Sequence, residues 1–519
     1  MSLLAAPVHL ARLARVGFVL AREGAFGLVD PAPLPPPARG ALRLVRLLER
    51  RRPANAAPRL SAALARLGPN YVKLGQFLAT RPDVVGVAVA AELSSLQDRL
   101  PPFPRSQALA LVEADFERPW TALFSEVGEP VAAASIAQVH RARTREGREV
   151  ALKVLRPGVR ARFLGDLGTM RFAAKLAELV LPASRRLRPT DVVDTLARSV
   201  AIEMDLRLEA AALSEMGENV ADDAEFRVPA VDWARTSRHC LTMGWVEGLA
   251  LNDLSAIDAA GHDREALARA VIQGFLRHAL EHGLFHADMH PGNLFVDADG
   301  RLVAVDFGIM GRIGRKERRF LAEILYGFIR RDYRRVAEVH FEAGYVPAHH
   351  RVEDFAQAIR AIGEPIHQKR ADEISMARLL ALLFEITALF DMATRTELVM
   401  LQKTMVTVEG VGRMLDPKLD MWSTAEPVVR AWVERNLGPV GIAEDVASTL
   451  RQIAAAAART PALVGRVEDL VERLNREAVS ADRETGRRSV AETQARSQRW
   501  LAGALWTVAA LLAIVALKL

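Results

Sequence analysis

The stretch from His286 to Gly308, HADMHPGNLFVDADGRLVAVDFG, constrains the fold of this chain more than any other. Asp288 and Asn293 stand five apart on a turn containing Pro291 and Gly292, and Asp306 follows a short apolar run, Leu302 to Val305, that predicts a strand. A carboxylate, an amide and a second carboxylate at these intervals are the parts of a metal-phosphate site. A hard divalent cation takes oxygen donors from Asn293 and Asp306, which leaves Asp288 to orient an acceptor.

Phosphoryl chemistry also needs a cation on the phosphates. The segment AAASIAQVHRARTREGREVALKVL predicts a strand, a turn at Glu146-Gly147 and a second strand holding Lys153. Lys and Arg total 69, yet only eight are Lys, so a lysine inside an apolar strand is set apart from an ordinary solvated charge. Such a lysine needs a carboxylate to hold it, and Glu203 in the helical segment AIEMDLRLEA is the expected partner. Asp205 lies roughly 200° further round a helix and so faces a different group. Lys153, Glu203 and Asp288 are therefore the candidate catalytic residues, and Asn293 and Asp306 the candidate ligands of Mg²⁺.

A chain of 519 residues, half hydrophobic and a quarter charged, buries a large core and predicts more than one domain. The single Cys240 excludes an internal disulfide, and Cys, His, Asp and Glu show no clustering at zinc-ligand spacing along the sequence. A formal charge of +6 suits an anionic membrane surface or nucleic acid, but 6% aromatic residues and no nucleic-acid module argue against the second. An Arg- and Ala-rich bias also gives ordinary solvated faces.

From Trp500 to Leu517, WLAGALWTVAALLAIVAL, eighteen residues carry no charge, enough for a helix of roughly 27 Å and one membrane span. Arg483, Arg487, Arg488, Arg496 and Arg499 precede it and only Lys518 follows, which predicts a cytoplasmic body on a bacterial inner membrane. A buried Ala-rich core helix is the alternative reading. At the other end, Leu10, Leu13 and Leu20 alternate with Arg12, Arg15 and Arg22, which breaks any signal-peptide core; this helix docks on the body or touches lipid headgroups.

Pro-rich stretches place a linker around one short helix in residues 26–58. The expected domains are 1–58, an N-terminal helix and linker; 59–125, a helical extension; 126–250, a small β-rich lobe; 251–440, a helical large lobe; 441–499, a helical linker; and 500–517, the span. Pro69 fits the first turn of the helix NYVKLGQFLAT, and Thr190 is the expected N-cap of a helix burying Val193, Leu196 and Val200.

Three further motifs give these parts a family resemblance. KLGQ at Lys73 to Gln76, AAAS at Ala132 to Ser135 and EMD at Glu203 to Asp205 resemble the K-x-G-Q, Ala-rich-loop and E-x-D motifs of the UbiB family of atypical kinases linked to ubiquinone biosynthesis. VEGVGRMLDP, Val408 to Pro417, resembles a stretch of that family's large lobe, and the likeness covers roughly residues 60 to 420. It implies an α+β, two-lobed protein-kinase-like fold, with a helical N-terminal extension and, here, a C-terminal transmembrane helix. It also implies ATP and Mg²⁺ as cofactors. The implied partners are membrane lipid or isoprenoid quinone intermediates, with quinone-biosynthesis enzymes alongside.

The same resemblance lays the K-x-G-Q helix over the cleft, with Lys73, Gln76 and Asp205 as regulatory residues and Lys73 paired to Asp205. Ala132, Ala133, Ala134 and Ser135 replace a Gly-rich phosphate loop, and methyl groups there change nucleotide geometry. TMGW, Thr242 to Trp245, is the expected interlobe linker, with Met243 and Trp245 against adenine. No A-P-E sequence follows Gly308, which argues against a peptide-docking platform. Two other readings stand beside an atypical kinase or ATPase: a small-molecule kinase of the aminoglycoside or choline phosphotransferase type, and a non-catalytic ATP-binding scaffold for quinone-pathway enzymes. A hydroxylase has no flavin fingerprint, haem pattern or facial triad here.

Overall fold

A computed structural model describes residues 6–28, 36–50, 58–79, 101–180, 188–366 and 396–437, with isolated positions between them. The expected linker 441–499 and span 500–517 lie outside the described residues. No helix among the described residues is long and apolar enough to cross a membrane. The chain divides into two compact units, Met1–Glu434 and Arg435–Leu519; of the second, the described residues 435–437 are the end of one helix.

Four helices open the first unit: α1 (Ala6–Arg22), α2 (Pro36–Arg46), α3 (Arg59–Leu67) and α4 (Pro69–Ala79). Pro69 occupies the first turn of α4, where its missing N–H costs nothing. Helix α5 (Arg105–Phe116) precedes a four-stranded antiparallel sheet of β1 (Phe124–Ala133), β2 (Ala137–Thr144), β3 (Glu149–Leu155) and a later strand. Gly147 takes φ +86° in the β2–β3 turn, a conformation open to glycine. Strand β3 is central and buried on both faces, which is why VALKVL reads as a nearly continuous apolar run. Val150, Leu152 and Val154 pack outward on α5, and Leu155 packs inward. Period-two alternation puts Lys153 on the inward side with Leu155.

Three helices follow, α6 (Val159–Val180), α7 (Pro189–Glu203) and α8 (Leu206–Asn219). Val193, Leu196 and Val200 are buried as their spacing predicts. The cap differs from expectation. Arg188 stands at the N-cap with φ +46°, and Thr190 lies inside the first turn, its N–H donating to the Glu178 carboxylate at 3.0 Å. Proline at the first helical position moves the start two residues earlier than a threonine cap at 190 allows.

Strand β4 (Phe226–Arg227) comes next, and β5 (Cys240–Gly244) completes the small sheet beside β3. Strand β6 (Leu249–Ala250) leads to α9 (Leu254–Ala259), α10 (Arg264–Arg277) and β7 (Leu284–His286). Then come β8 (Leu294–Val296), β9 (Leu302–Ala304) and β10 (Met310–Arg312). Sheets β4-β9-β8-β6 and β7-β10 frame the opening motif. Helices α11 (Arg315–Arg330), α12 (Tyr333–Glu342), α13 (Val352–Ile366), α14 (Thr396–Leu415) and α15 (Met421–Leu437) follow. Only Ile313 and Gly314 separate β10 from α11.

Helices α3 and α4 share one core with α6, α7 and the inner face of the sheet, through Leu64, Tyr71, Ala137, Leu155, Phe163, Leu196, Val200 and Leu206. Gly75 is the closest point of that packing. A Cβ there would lie 2.6 Å from Leu64 Cδ1 and overlap Leu96 Cδ1. On α1, Leu10 is exposed whereas Leu13 and Leu20 are half-buried. With Val8, Phe18, Leu44, Leu47 and Leu48 it gives α1 and the end of α2 an outward apolar surface, interspersed with exposed Arg12, Arg15, Arg22 and Arg43.

Gly75→Leu is expected to exceed the roughly 1–3 kcal/mol of a typical overpacking change, with a lowered Tm in thermal denaturation. An unchanged Tm would mean that α4 does not seat on Leu64 and Leu96.

Candidate active site

Lys153 bridges two acids. Its Nζ donates to Glu209 Oε1 at 2.7 Å and Oε2 at 3.0 Å, and to Asp306 Oδ1 at 2.8 Å. Burial alone would depress the Lys153 ammonium, but the charges of Asp306 and Glu209 outweigh it and hold the pKa well above the ordinary value. Lys153 pulls the Asp306 carboxyl far below the usual range, while burial pushes Glu209 up against the pull of the same lysine. Asp306 keeps 46% of its side chain accessible, so this carboxylate faces an open cleft while the lysine behind it is closed off.

The expected pairing of Lys153 with Glu203 is therefore replaced. Glu203 pairs with Lys73 at 2.6 Å, and Asp205 pairs with Arg207, through Nε at 2.9 Å and a terminal nitrogen at 2.7 Å, rather than with Lys73. The reason is a break in the backbone. Helix α7 ends at Glu203, and Asp205 is extended at φ −127°, ψ 93°, capping α8 by accepting the Arg207 N–H. A continuous helix through AIEMDLRLEA does not exist, so the helical angle between the two acids does not apply. Glu209 went unread in the sequence, yet it carried a signal: it shares a stripe with Leu206, Leu213 and Met216, all buried at helical spacing. A lone carboxylate on an apolar stripe requires a buried cation.

The Lys73 ammonium, paired with Glu203, adds to the positive field that lowers Asp306. Gly75 in the K-x-G-Q motif accommodates leucine side chains rather than a ligand.

The turn after β7 is held by His286. Its Nδ1 accepts the Asp288 N–H at 3.0 Å and its Nε2 lies 3.0 Å from Val305 O, which fixes the neutral Nε2–H tautomer; burial also lowers this pKa. Asn293 Nδ2 donates to Asp288 O at 3.1 Å, leaving Oδ1 as the donor atom a cation can use. The hydroxyl of Thr404 on α14 donates to Ala287 O at 3.3 Å, so the helical region braces the same turn. Asp306 takes φ +64°, a left-handed conformation rare outside glycine and typical of residues that function holds in place. Two oxygen donors of hard character, Asp306 and Asn293, fit Mg²⁺.

Ala132 and Ala133 end β1 in register with Val139 and Gln138. Ala134 N–H closes the turn on Ala137 O at 2.8 Å, and Ser135 is buried within it. Arg156 pins the turn from outside, donating to Ala134 O at 2.9 Å and Pro101 O at 3.0 Å. This is a closed turn rather than an open nest of amides. Met243 lies buried on β5 opposite Ala151, and the Trp245 N–H donates to Glu149 O at 3.2 Å, so that amide is spent within the sheet edge. Trp245 stacks under the Arg141 guanidinium, 5.0 Å away. Gln76 lies on the same helix as Lys73.

Removing one member of a buried ion pair costs about 3–5 kcal/mol, so Glu209→Gln and Glu203→Gln are expected to separate the two lysines' roles. Glu209→Gln should abolish nucleotide-dependent thermal stabilisation, whereas Glu203→Gln should spare most of it and speed proteolysis within α4. The reverse pattern would restore the Lys153–Glu203 pairing.

Residues 95–340 match the ABC1 atypical kinase-like domain family, and residues 359–420 the UbiB helical domain. A Marinobacter nauticus protein named "Probable protein kinase UbiB" is 40% identical over 76% of this chain and 73% of its own length. Pseudomonas putida and Aeromonas salmonicida proteins of the same name are each 38% identical, over 89% and 84% of this chain and 86% and 81% of theirs. Among solved structures, Rv3197 from Mycobacterium tuberculosis, in complex with erythromycin, shares the fold, with a TM-score of 0.52 and 23% identity over 78% of this chain and 99% of that one. The geometry and these likenesses agree, and the chain belongs to the UbiB family of ABC1 atypical kinase-like proteins.

Proposed function

We propose that this protein is a membrane-anchored atypical kinase or ATPase that uses Mg²⁺ and ATP in support of ubiquinone biosynthesis. The observation that carries the reading is the Lys153 bridge, with the ammonium held by Glu209 and set against Asp306 at 2.8 Å. A phosphate-binding lysine fixed by a helix carboxylate beside a metal-binding aspartate is the arrangement phosphoryl transfer requires. The relatives' shared name, "Probable protein kinase UbiB", supports the same pathway for this chain.

Each group has a task. Lys153 stays protonated and sets its charge on the nucleotide phosphates. Asp306 and Asn293 hold Mg²⁺, which neutralises phosphate charge when bound. Asp288, its backbone fixed by His286, orients the hydroxyl or water that attacks and takes its proton. Met243 and the segment around Trp245 border the adenine. Lys73, beside Asp306 and tied to Glu203, couples the position of α4 to the state of the cleft, with Gln76 on the same helix. The small lobe spans 126–250 and the large lobe 251–440.

Membrane attachment rests on the uncharged run Trp500 to Leu517 and on the arginine-flanked apolar surface of α1 and α2. Isoprenoid quinone intermediates would meet the protein there, with quinone-biosynthesis enzymes as its neighbours.

Asp306→Asn is expected to remove Mg²⁺-ATP-dependent thermal stabilisation nearly completely, since a neutral amide replaces a carboxylate on a hard cation. Lys153→Ala should weaken the same signal. An undiminished shift in Asp306→Asn would overturn the metal assignment. Truncation after Arg496 should move the protein from the membrane to the soluble fraction. Full sedimentation of the truncated chain would make the α1–α2 surface the principal attachment instead.

A further inference from the structure

His349 and His350 are neighbours in the sequence with no cysteine or third histidine close by, yet the fold brings three donors together away from the nucleotide cleft. His349 and His350 lie in the turn between α12 and α13, and Asp391 follows the buried Phe390. Their ligand atoms all lie within 4.8 Å of one another, the one such convergence of three His, Cys, Asp or Glu donors among the described residues. His349 and His350 fall between the kinase-like segment, which ends at 340, and the helical segment, which begins at 359; Asp391 lies inside the latter.

The distances do not suit hydrogen bonding. His350 Nε2 is 3.5 Å and His349 Nε2 3.8 Å from the same Asp391 Oδ2, and His350 Nε2 is shielded from solvent with no hydrogen-bond partner. A tetrahedral ion with bonds of about 2.0–2.1 Å holds its donors roughly 3.4 Å apart, close to this spacing. The frame is built in advance. His350 packs on Phe390 at 5.2 Å between ring centres, Phe390 packs on Phe355 of α13 at 4.9 Å, and Asp391 is held left-handed at φ +48°. The adjacent Arg351 turns to Glu353, 3.9 Å away, rather than to Asp391.

We propose that His349, His350 and Asp391 form a binding site for a borderline divalent transition metal of the Zn²⁺ class. Two imidazoles and one carboxylate select such an ion over Mg²⁺ or Ca²⁺, which favour oxygen alone. Three protein ligands leave a position for water, and the bound ion ties the α12–α13 turn to the segment carrying Phe390.

The full-length protein, titrated with Zn²⁺ against a chromophoric chelator, is expected to hold one equivalent that His349→Ala and Asp391→Asn each weaken at least tenfold. Both side chains are well exposed, 65% and 69%, so both variants should fold. Zn²⁺ should raise the Tm of the unaltered protein and of neither variant. Equal Zn²⁺ affinity and equal thermal shifts in all three proteins would overturn the site. So would displacement of the ion by equimolar Mg²⁺.

Discussion

The cleft is organised around a single buried ammonium. Lys153 sits on the central strand of a sheet whose two faces are both covered, so its charge survives only because Glu209 and Asp306 accept from it together. Lys153 holds Asp306 ionised, and this partly accessible carboxylate lies at the mouth of the cleft. The helix that carries Glu209, the strand that carries Lys153 and the segment that carries Asp306 are thereby held in one arrangement, since separating any of them strands a charge in a low-dielectric interior.

A second ion pair sits beside the first and follows a different logic. Lys73 on α4 meets Glu203 at the last residue of α7 and still influences Asp306. Helix α4 is thus fastened to the element next to α8 rather than to Glu209, the partner of Lys153. Movement of α4 would change the field at Asp306 without dismantling the Lys153–Glu209 pair. Apolar packing of Gly75 against Leu64 and Leu96 sets how closely that helix lies.

The turn between β7 and β8 depends on neutral groups. His286 uses one ring nitrogen as donor and the other as acceptor, joining the backbone of Asp288 to that of Val305. Asn293 closes the same turn from within, and Thr404 braces it from the helical region. The Thr404 hydroxyl, 2.9 Å from Met400 O of its own helix and 3.3 Å from Ala287 O, brings the family's helical segment against this turn.

The sequence by itself determined the parts and their order: a strand lysine, a Pro-Gly turn with Asp288 and Asn293, a strand leading to Asp306, and a proline-started helix bearing Lys73. These are local, set by turn chemistry and by hydrophobic period. Tertiary structure decided which acid meets which lysine. Glu203, Asp205 and Glu209 are near neighbours in one acidic run, and a two-residue break at Met204 and Asp205 turns each towards a different cation. Periodicity does not register a break that a capping aspartate creates, although the burial stripe around Glu209 does mark that residue. The meeting of His349, His350 and Asp391 was likewise settled by the fold alone, because some forty residues of chain separate the histidines from the aspartate, and only helix packing closes that distance.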